Sequence, residues 1–475
     1  MIHALMSNCV IAQKDQKENR KAHQNSENKI ISGTYRSKNY VTTLKKVTDL
    51  MVSDVTSPVA ASRYYAYINL AAYEVINHNE SLSLLSSLKR GRMSASIPSA
   101  AYSLKNNSSD KGSKLIPNHN QQLSFATLLT ILKMGEKLLP SGPALRPDIT
   151  LLKSDSEKYG IQEVDLDRIE KLVDSIVKNF VSWSAQDGFR GLNNRLRYTP
   201  TKGDAYWQPT APSYMAPVEP HWNKLKPFLL DSCTQFKVAE PVLYDTNSGT
   251  PFMTLTKEVY EISKKSDSAK NAIAMFWDCN PFAVQQLGHV EFGLKKISPG
   301  GHWIGITGIA CINENLSIEQ SALVHAIVSI TLADAFIACW DEKYRSNRVR
   351  PETVINRLID PSWRPLLQTP PFPEYVSGHS VASTAAAEVL TKIFGDDYAF
   401  TDDTEVEFEL PIRKFESFNS AAAEASVSRL YGGIHFRDAI DQGIQQGRSI
   451  GKLSNRLFDQ HIRKLKISYH ASVRN

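Results

Sequence analysis

Three short stretches of this 475-residue chain combine the residue types that hold an oxyanion: cations, a glycine at a helix start, and two histidines. The first is Lys343-Tyr-Arg-Ser-Asn-Arg-Val-Arg350-Pro351. Seven residues of α-helix turn about 700°, which leaves Lys343 and Arg350 within about 20° of one face. Both cations then point one way if the helix runs through them, although Pro351 argues for a boundary near Arg350. The second is Val376-Ser377-Gly378-His379, leading into an apolar helix predicted from Ser380. Ser377 is a candidate N-cap, Gly378 permits close backbone approach, and free N–H groups at a helix start cradle anions. His379 would stand over that cradle. In the third, Ser428-Arg429 to Gly432-Gly433-Ile434-His435, the paired glycines end one helix and Asp438 helps to start another. The positive end of a helix dipole disfavours imidazolium there, leaving His435 a neutral nitrogen able to coordinate or attack. Arg429 is the third cation.

Taken singly, a Lys/Arg pair is ordinarily a solvated helix face and Ser-Gly-His an ordinary cap. In this order they are specific. Lys-x6-Arg-Pro, then Ser-Gly-His, then Ser-Arg-x5-His resembles the signature of the type 2 phosphatidic acid phosphatase and vanadium-dependent haloperoxidase superfamily. The stretches WDEKYRSNRVRP, FPEYVSGHS and SRLYGGIHFRDA are most similar to those of marine bacterial vanadium iodoperoxidases. The resemblance implies that His435 is the vanadium ligand. Lys343, Arg350, Ser377, Gly378 and Arg429 would bind the vanadate oxygens, and His379 would be the acid–base residue. Trp340, Phe372 and Phe282 are the implied pocket walls, and Asp438 or Asp441 the carboxylate that orients His435 through its other nitrogen. Val376 departs from the usual Pro before Ser-Gly-His, and Asp438 comes one residue early. The implied reaction is oxidation of iodide, with bromide open, by hydrogen peroxide to a hypohalous acid through a peroxovanadate, with no haem. The alternative is an acid phosphatase with His435 as nucleophile and His379 as general acid. A silent oxyanion binder is a third reading, but it would not need both histidines.

The elements that must position these residues read as all-α. Helical patterning covers Tyr40 to His78, with Pro58 near the start of a second segment, then Leu123 to Leu139 and Val164 to Trp183. It resumes over Lys257 to Trp277, Ser317 to Tyr344, Ser380 to Phe394, Phe415 to Leu430 and Asp438 to Leu465. Between Leu192 and Pro251, dense Pro, Trp and Tyr indicate an ordered irregular segment draped over the helices. Ser94 to Gln122 reads as a surface loop. The family resemblance implies paired four-helix bundles with long irregular loops over residues 40–475, the anion site lying within 340–441. Residues 1–39 read as a disordered lead or a truncated signal remnant, the latter favouring export.

The 55 basic and 49 acidic residues give a net charge of +6, too mild an excess for a nucleic-acid partner. Ser321 to Trp340 is the most apolar stretch, yet it contains His325 and Asp334 and reads as a buried helix rather than a membrane span. Five cysteines without CxxC spacing indicate neither a zinc site nor a dense disulfide framework, and at most one disulfide. His289 and His302 read as structural. The acidic run Asp402, Asp403, Glu405, Glu407 reads as a solvated loop, with calcium binding the minor alternative.

Overall fold

The computed structural model describes residues 36–77, 83–88, 119–287 and 290–465. The expectations placed on the lead before residue 36, on most of Ser94 to Gln122 and on His289 lie outside the described residues. The N-terminal half contributes α1 (Ser37–Ser53), α2 (Pro58–Ile76), α3 (His119–Leu138), α4 (Arg146–Ser154) and α5 (Glu163–Ser184). After the irregular segment come α6 (Pro251–Lys264), α7 (Ser268–Phe276), α8 (Pro299–Asn313) and α9 (Ile318–Ser346). Then follow α10 (Pro351–Leu358), α11 (Gly378–Phe394), α12 (Phe418–Tyr431) and α13 (Arg437–Leu457). Short 3-10 turns and two antiparallel hairpins accompany these helices: β1 (Val284–Leu287) with β2 (Val290–Gly293), and β3 (Phe400–Asp402) with β4 (Arg413–Phe415).

The helices group about α9. On one side α2 packs along it and is backed by α1, α3 and α5; on the other lie α11, α12 and α13. Residues 321–343 of α9 are all buried, so its length and hydropathy serve a protein core rather than a membrane span. Its two awkward polar residues are satisfied. Asp334 accepts the backbone N–H groups of Phe228, Leu229 and Leu230 at 2.7, 2.6 and 2.9 Å, fastening the irregular segment to the core. His325 bonds the Ser321 carbonyl at 2.8 Å, and burial pushes its pKa down to about 4, so it sits there neutral.

Helix starts follow the sequence closely. Ser57, Ser298 and Thr250 each cap a helix whose first residue is proline, and Ser317 forms a capping box with Gln320. Lys257 to Trp277 is not one helix: Asp267 accepts the Lys270 N–H at 2.8 Å and starts α7 afresh. The last helix likewise stops at Leu457 and resumes over 459–465. Helices α4, α8 and α10 and the four strands have no counterpart in the sequence reading. In α8 the reason is Gly300, Gly301, Gly305 and Gly308, each worth about 1 kcal/mol against helix by propensity and tolerated because of packing. A Cβ at Gly301 would meet Ile297 at 2.7 Å, and one at Gly305 would meet Thr404 at 2.6 Å.

One contact in this architecture sets the position of the site. Gly443, Gly447 and Gly451 form a stripe along α13 that lets it lie almost on the backbone of α11. A Cβ at Gly447 would fall 2.4 Å from the Val381 carbonyl oxygen, and one at Gly443 would fall 2.9 Å from that of Ser377. The Ser377 N–H is then within 3.0 Å of the Ala439 carbonyl. The start of α11 is thereby fixed to the segment that carries His435.

Candidate active site

Lys343 and Arg350 do not share a helix face. α9 ends at Ser346, Asn347 closes it in the left-handed conformation (φ 50°), and Arg350 is extended as the N-cap of α10. The two cations reach the same region because the loop 371–377 folds between them. Lys343 Nζ donates to the carbonyls of Pro373, Glu374 and Val376 at 3.2, 3.1 and 2.5 Å. Arg350 Nε donates to the Phe372 carbonyl at 3.0 Å, and its Nη1 to the Ile434 carbonyl at 2.9 Å. Burial dominates both cations, lowering Lys343 to about 7 and Arg350 to about 10.

His435 lies just ahead of α13, whose N-cap is Phe436. Its Nε2 is 3.2 Å from Arg350 Nη1, and its Nδ1 is 2.9 Å from Glu374 Oε1, which also accepts the Phe436 N–H at 2.9 Å. The orienting carboxylate is therefore Glu374, which the sequence reading missed. Asp438 stands one link further out: Arg348 donates to Glu374 Oε2 at 2.6 Å and to both oxygens of Asp438 at 2.5 and 2.7 Å. Asp441 is exposed and makes no contact with His435 among the described residues. Burial, then Arg350, Lys343 and Arg429, hold the His435 ring neutral, far below the ordinary imidazole value.

Ser377 caps α11, accepting the Ser380 N–H at 3.3 Å and the Ser380 hydroxyl at 2.9 Å. Gly378 opens the helix next to Trp340, Cys339 and the Lys343 chain. His379 Nε2 is 3.4 Å from Arg429 Nη1. Desolvation, then the Arg429 and His435 neighbours, hold it neutral as well. Arg429 also donates to Ser428 Oγ at 3.1 Å and to the Ala274 carbonyl at 3.4 Å.

Part of this set lines a cavity of about 30 Å³, room for more than one water: Gly378, His379, Arg429 and His435 are in its wall, and Lys343, Arg350 and Ser377 stand outside the lining. Trp340 and Phe372 form an apolar wall with ring centroids 4.9 Å apart, and Phe336 and three prolines extend it. Phe282 is not part of the lining. From the same stretch it is Cys279 and Asn280 that reach the cavity, while the Phe282 N–H is held by Asn280 Oδ1 at 3.1 Å. The described cysteines, Cys233, Cys279, Cys311 and Cys339, are free thiols.

The arrangement gathers buried cations and two neutral histidines, the groups that can hold an oxyanion, within one helical bundle. The VCPO second helical-bundle domain matches residues 323–464 of the chain. Among solved structures, a bacterial vanadium-dependent iodoperoxidase is 38% identical, with a TM-score of 0.79 over 90% of this chain and 97% of its own. Bacterial vanadium-dependent chloroperoxidases in holo and apo forms share the fold, at 17% and 16% identity and a TM-score of 0.62 each. They cover 86% and 85% of this chain and 94% of their own. The search of curated proteins finds no match. The chain belongs to the vanadium-dependent haloperoxidase family.

The cofactor of that family is vanadate, a tetrahedral oxyanion, and the residues present fit it. Lys343, Arg350 and Arg429 are buried without a carboxylate ion-pair partner among the described residues, whereas Arg348 is neutralised by Glu374 and Asp438. Buried charge left unpaired is strongly unfavourable, so three such cations, Arg429 in the cavity lining and Lys343 and Arg350 beside the lining residues Gly378 and His435, call for an anion. Among the described residues, two buried donors at this site also lack a partner: Arg350 Nη2, on the guanidinium that faces His435, and Asn280 Nδ2 in the cavity wall. Each orphaned donor costs roughly 1–3 kcal/mol, and an anion's oxygens would satisfy both.

Proposed function

We propose that this haloperoxidase oxidises iodide with hydrogen peroxide. Vanadate, when bound, would supply the Lewis-acidic centre for peroxide activation. His435 would be its ligand, offering the Nε2 lone pair from a ring locked by Glu374 at Nδ1. Arg350, Arg429 and Lys343 would balance the anion's charge, with the Ser377 hydroxyl and the Gly378 N–H as neutral donors. His379, kept neutral, would take and return the peroxide proton at Nε2, the ring nitrogen beside Arg429.

The observation that carries this reading is a neutral, carboxylate-fixed histidine among three buried cations, facing a wall of Trp340, Phe372 and prolines. The choice of iodide rests on that wall. Iodide is the most easily oxidised and most weakly hydrated of the common halides, so it needs little polar stabilisation to enter an apolar pocket. A harder halide would need donors that Trp340 and Phe372 do not offer.

The test is a paired assay on metal-stripped protein: triiodide formation from iodide and peroxide with and without orthovanadate, beside aryl phosphate hydrolysis. Vanadate-dependent triiodide formation, with bromide oxidised at least tenfold more slowly, is the expected result. Phosphate hydrolysis that vanadate inhibits, without iodide oxidation, would instead identify a phosphatase.

A further inference from the structure

The acidic run at 402–407 is not a solvated loop throughout. Asp403 and Glu407 are exposed, but Asp402 and Glu405 are buried, and both turn onto His302 of α8. His302 Nε2 is 2.8 Å from Asp402 Oδ2, and its Nδ1 is 3.0 Å from Glu405 Oε1. Cys279 Sγ completes a triangle, 3.3 Å from His302 Nδ1 and 3.7 Å from Glu405 Oε1. Trp277 stacks on the imidazole at 4.6 Å with 20° between the rings, which holds it in this orientation.

We propose that Cys279, His302 and Glu405 bind a divalent transition metal of the zinc class, at a site separate from the vanadate site but sharing its wall. Three features of the geometry support it. Zinc bonds of roughly 2.3 Å to sulfur and 2.0–2.2 Å to nitrogen and oxygen place tetrahedral ligand atoms about 3.3–3.6 Å apart, close to the edges of this triangle. A ligating imidazole ordinarily gives its other nitrogen to a carboxylate, and Asp402 holds that place. Asp402 Oδ1 is engaged by the Thr404 N–H and hydroxyl, at 3.0 and 2.6 Å, so it orients rather than ligates. The donor set is also selective: a thiolate with an imidazole favours zinc-like metals over calcium or magnesium.

Binding replaces protons with metal. The Cys279 thiol would give up its proton to the solvent, as would the His302 nitrogen facing Glu405. The thiolate and the Glu405 carboxylate then balance the two positive charges. Three ligands leave the fourth position for water, and Cys279 lines the cavity. The ion would join the segment after α7, helix α8 and the loop after β3, fixing Cys279 and the adjacent Asn280 as cavity wall. No sequence motif announces the site, because its ligands lie 23 and 103 residues apart and converge only in the fold.

The test uses the full-length protein, dialysed against chelator and titrated with Co²⁺ as the spectroscopic probe. One equivalent should bind with a thiolate-to-cobalt charge-transfer band and be displaced by Zn²⁺. The band should vanish in Cys279→Ser and persist in His435→Ala, and Glu405→Gln should lower Co²⁺ affinity at least tenfold. Absence of the band in the unmutated protein would overturn the proposal without reliance on any variant. So would a band that survives in Cys279→Ser, one lost in His435→Ala, or unchanged affinity in Glu405→Gln.

Discussion

Glu374→Gln is the most informative perturbation of the anion site. One carboxylate holds the His435 Nδ1, the Phe436 N–H and the Arg348 guanidinium. The amide oxygen of glutamine can keep the first two bonds, which share Oε1, but its NH₂ must then face Arg348, donor against donor. His435 then keeps a neutral acceptor at Nδ1 but loses the negative charge that raises its basicity. Loss of the partner behind a metal-ligating histidine typically costs 10- to 100-fold in affinity, so vanadate Kd should rise by that factor, about 1.4–2.7 kcal/mol. The fold should suffer as well, by roughly 3–5 kcal/mol, because Arg348 keeps only Asp438. Equilibrium vanadate binding, beside a denaturant unfolding curve, reads the two effects separately. Asp438→Asn, acting through Arg348, should weaken vanadate binding by less than tenfold, and Asp441→Asn by less than twofold. The reasoning fails if folded Glu374→Gln binds vanadate within threefold of the unmutated protein, or if Asp441→Asn weakens it equally.

Further outcomes follow from the same geometry. His379→Ala should lower kcat for iodide oxidation by about 10²–10⁴-fold while vanadate Kd changes only a few-fold, which single-turnover and binding measurements distinguish. Trp340→Phe should alter iodide kcat/KM or the iodide-to-bromide ratio, with vanadate Kd unchanged. Lys343 is depressed to about 7, so between that pH and the ordinary lysine value the unfolded chain binds the extra proton and stability rises with pH. Without vanadate, that rise should approach 1.4 kcal/mol per pH unit at its steepest, and denaturant midpoints should show it disappear in Lys343→Met. Gly447→Ala, whose methyl group would meet the Val381 carbonyl oxygen, should destabilise the protein by about 1–3 kcal/mol or more and loosen vanadate binding through Ser377.

How much was readable in advance depends on how local each cause is. The Ser-Gly-His start of α11 and the buried character of α9 are consequences of neighbouring residues, and the structure has both where the sequence places them. Lys343 and Arg350 do come together, but not on the shared helix face their spacing suggests, since Asn347 ends the helix and a folded-back loop brings the cations together. Glu374 was invisible as a lone glutamate in a Pro-rich loop. Its only sequence signal is that it lies three residues before Ser377, inside a motif already singled out. Asp438 was the more obvious candidate by spacing, but Arg348 intercepts it. The solvated reading of 402–407 failed for a similar reason: the hairpin register that pairs Phe400 with Phe415 buries Asp402 and Glu405 against α8, a long-range pairing that composition does not encode.

The central claim is that His435 is the ligand on which vanadate-dependent chemistry depends. It is tested most directly by titrating orthovanadate into metal-stripped protein while following iodide oxidation, with the unmutated chain beside His435→Ala. The account predicts activity that rises to saturation at one equivalent of vanadate in the first and none at any vanadate concentration in the second. Activity in His435→Ala that reaches the unmutated level at high vanadate would contradict it, because the remaining cations would then suffice without the histidine.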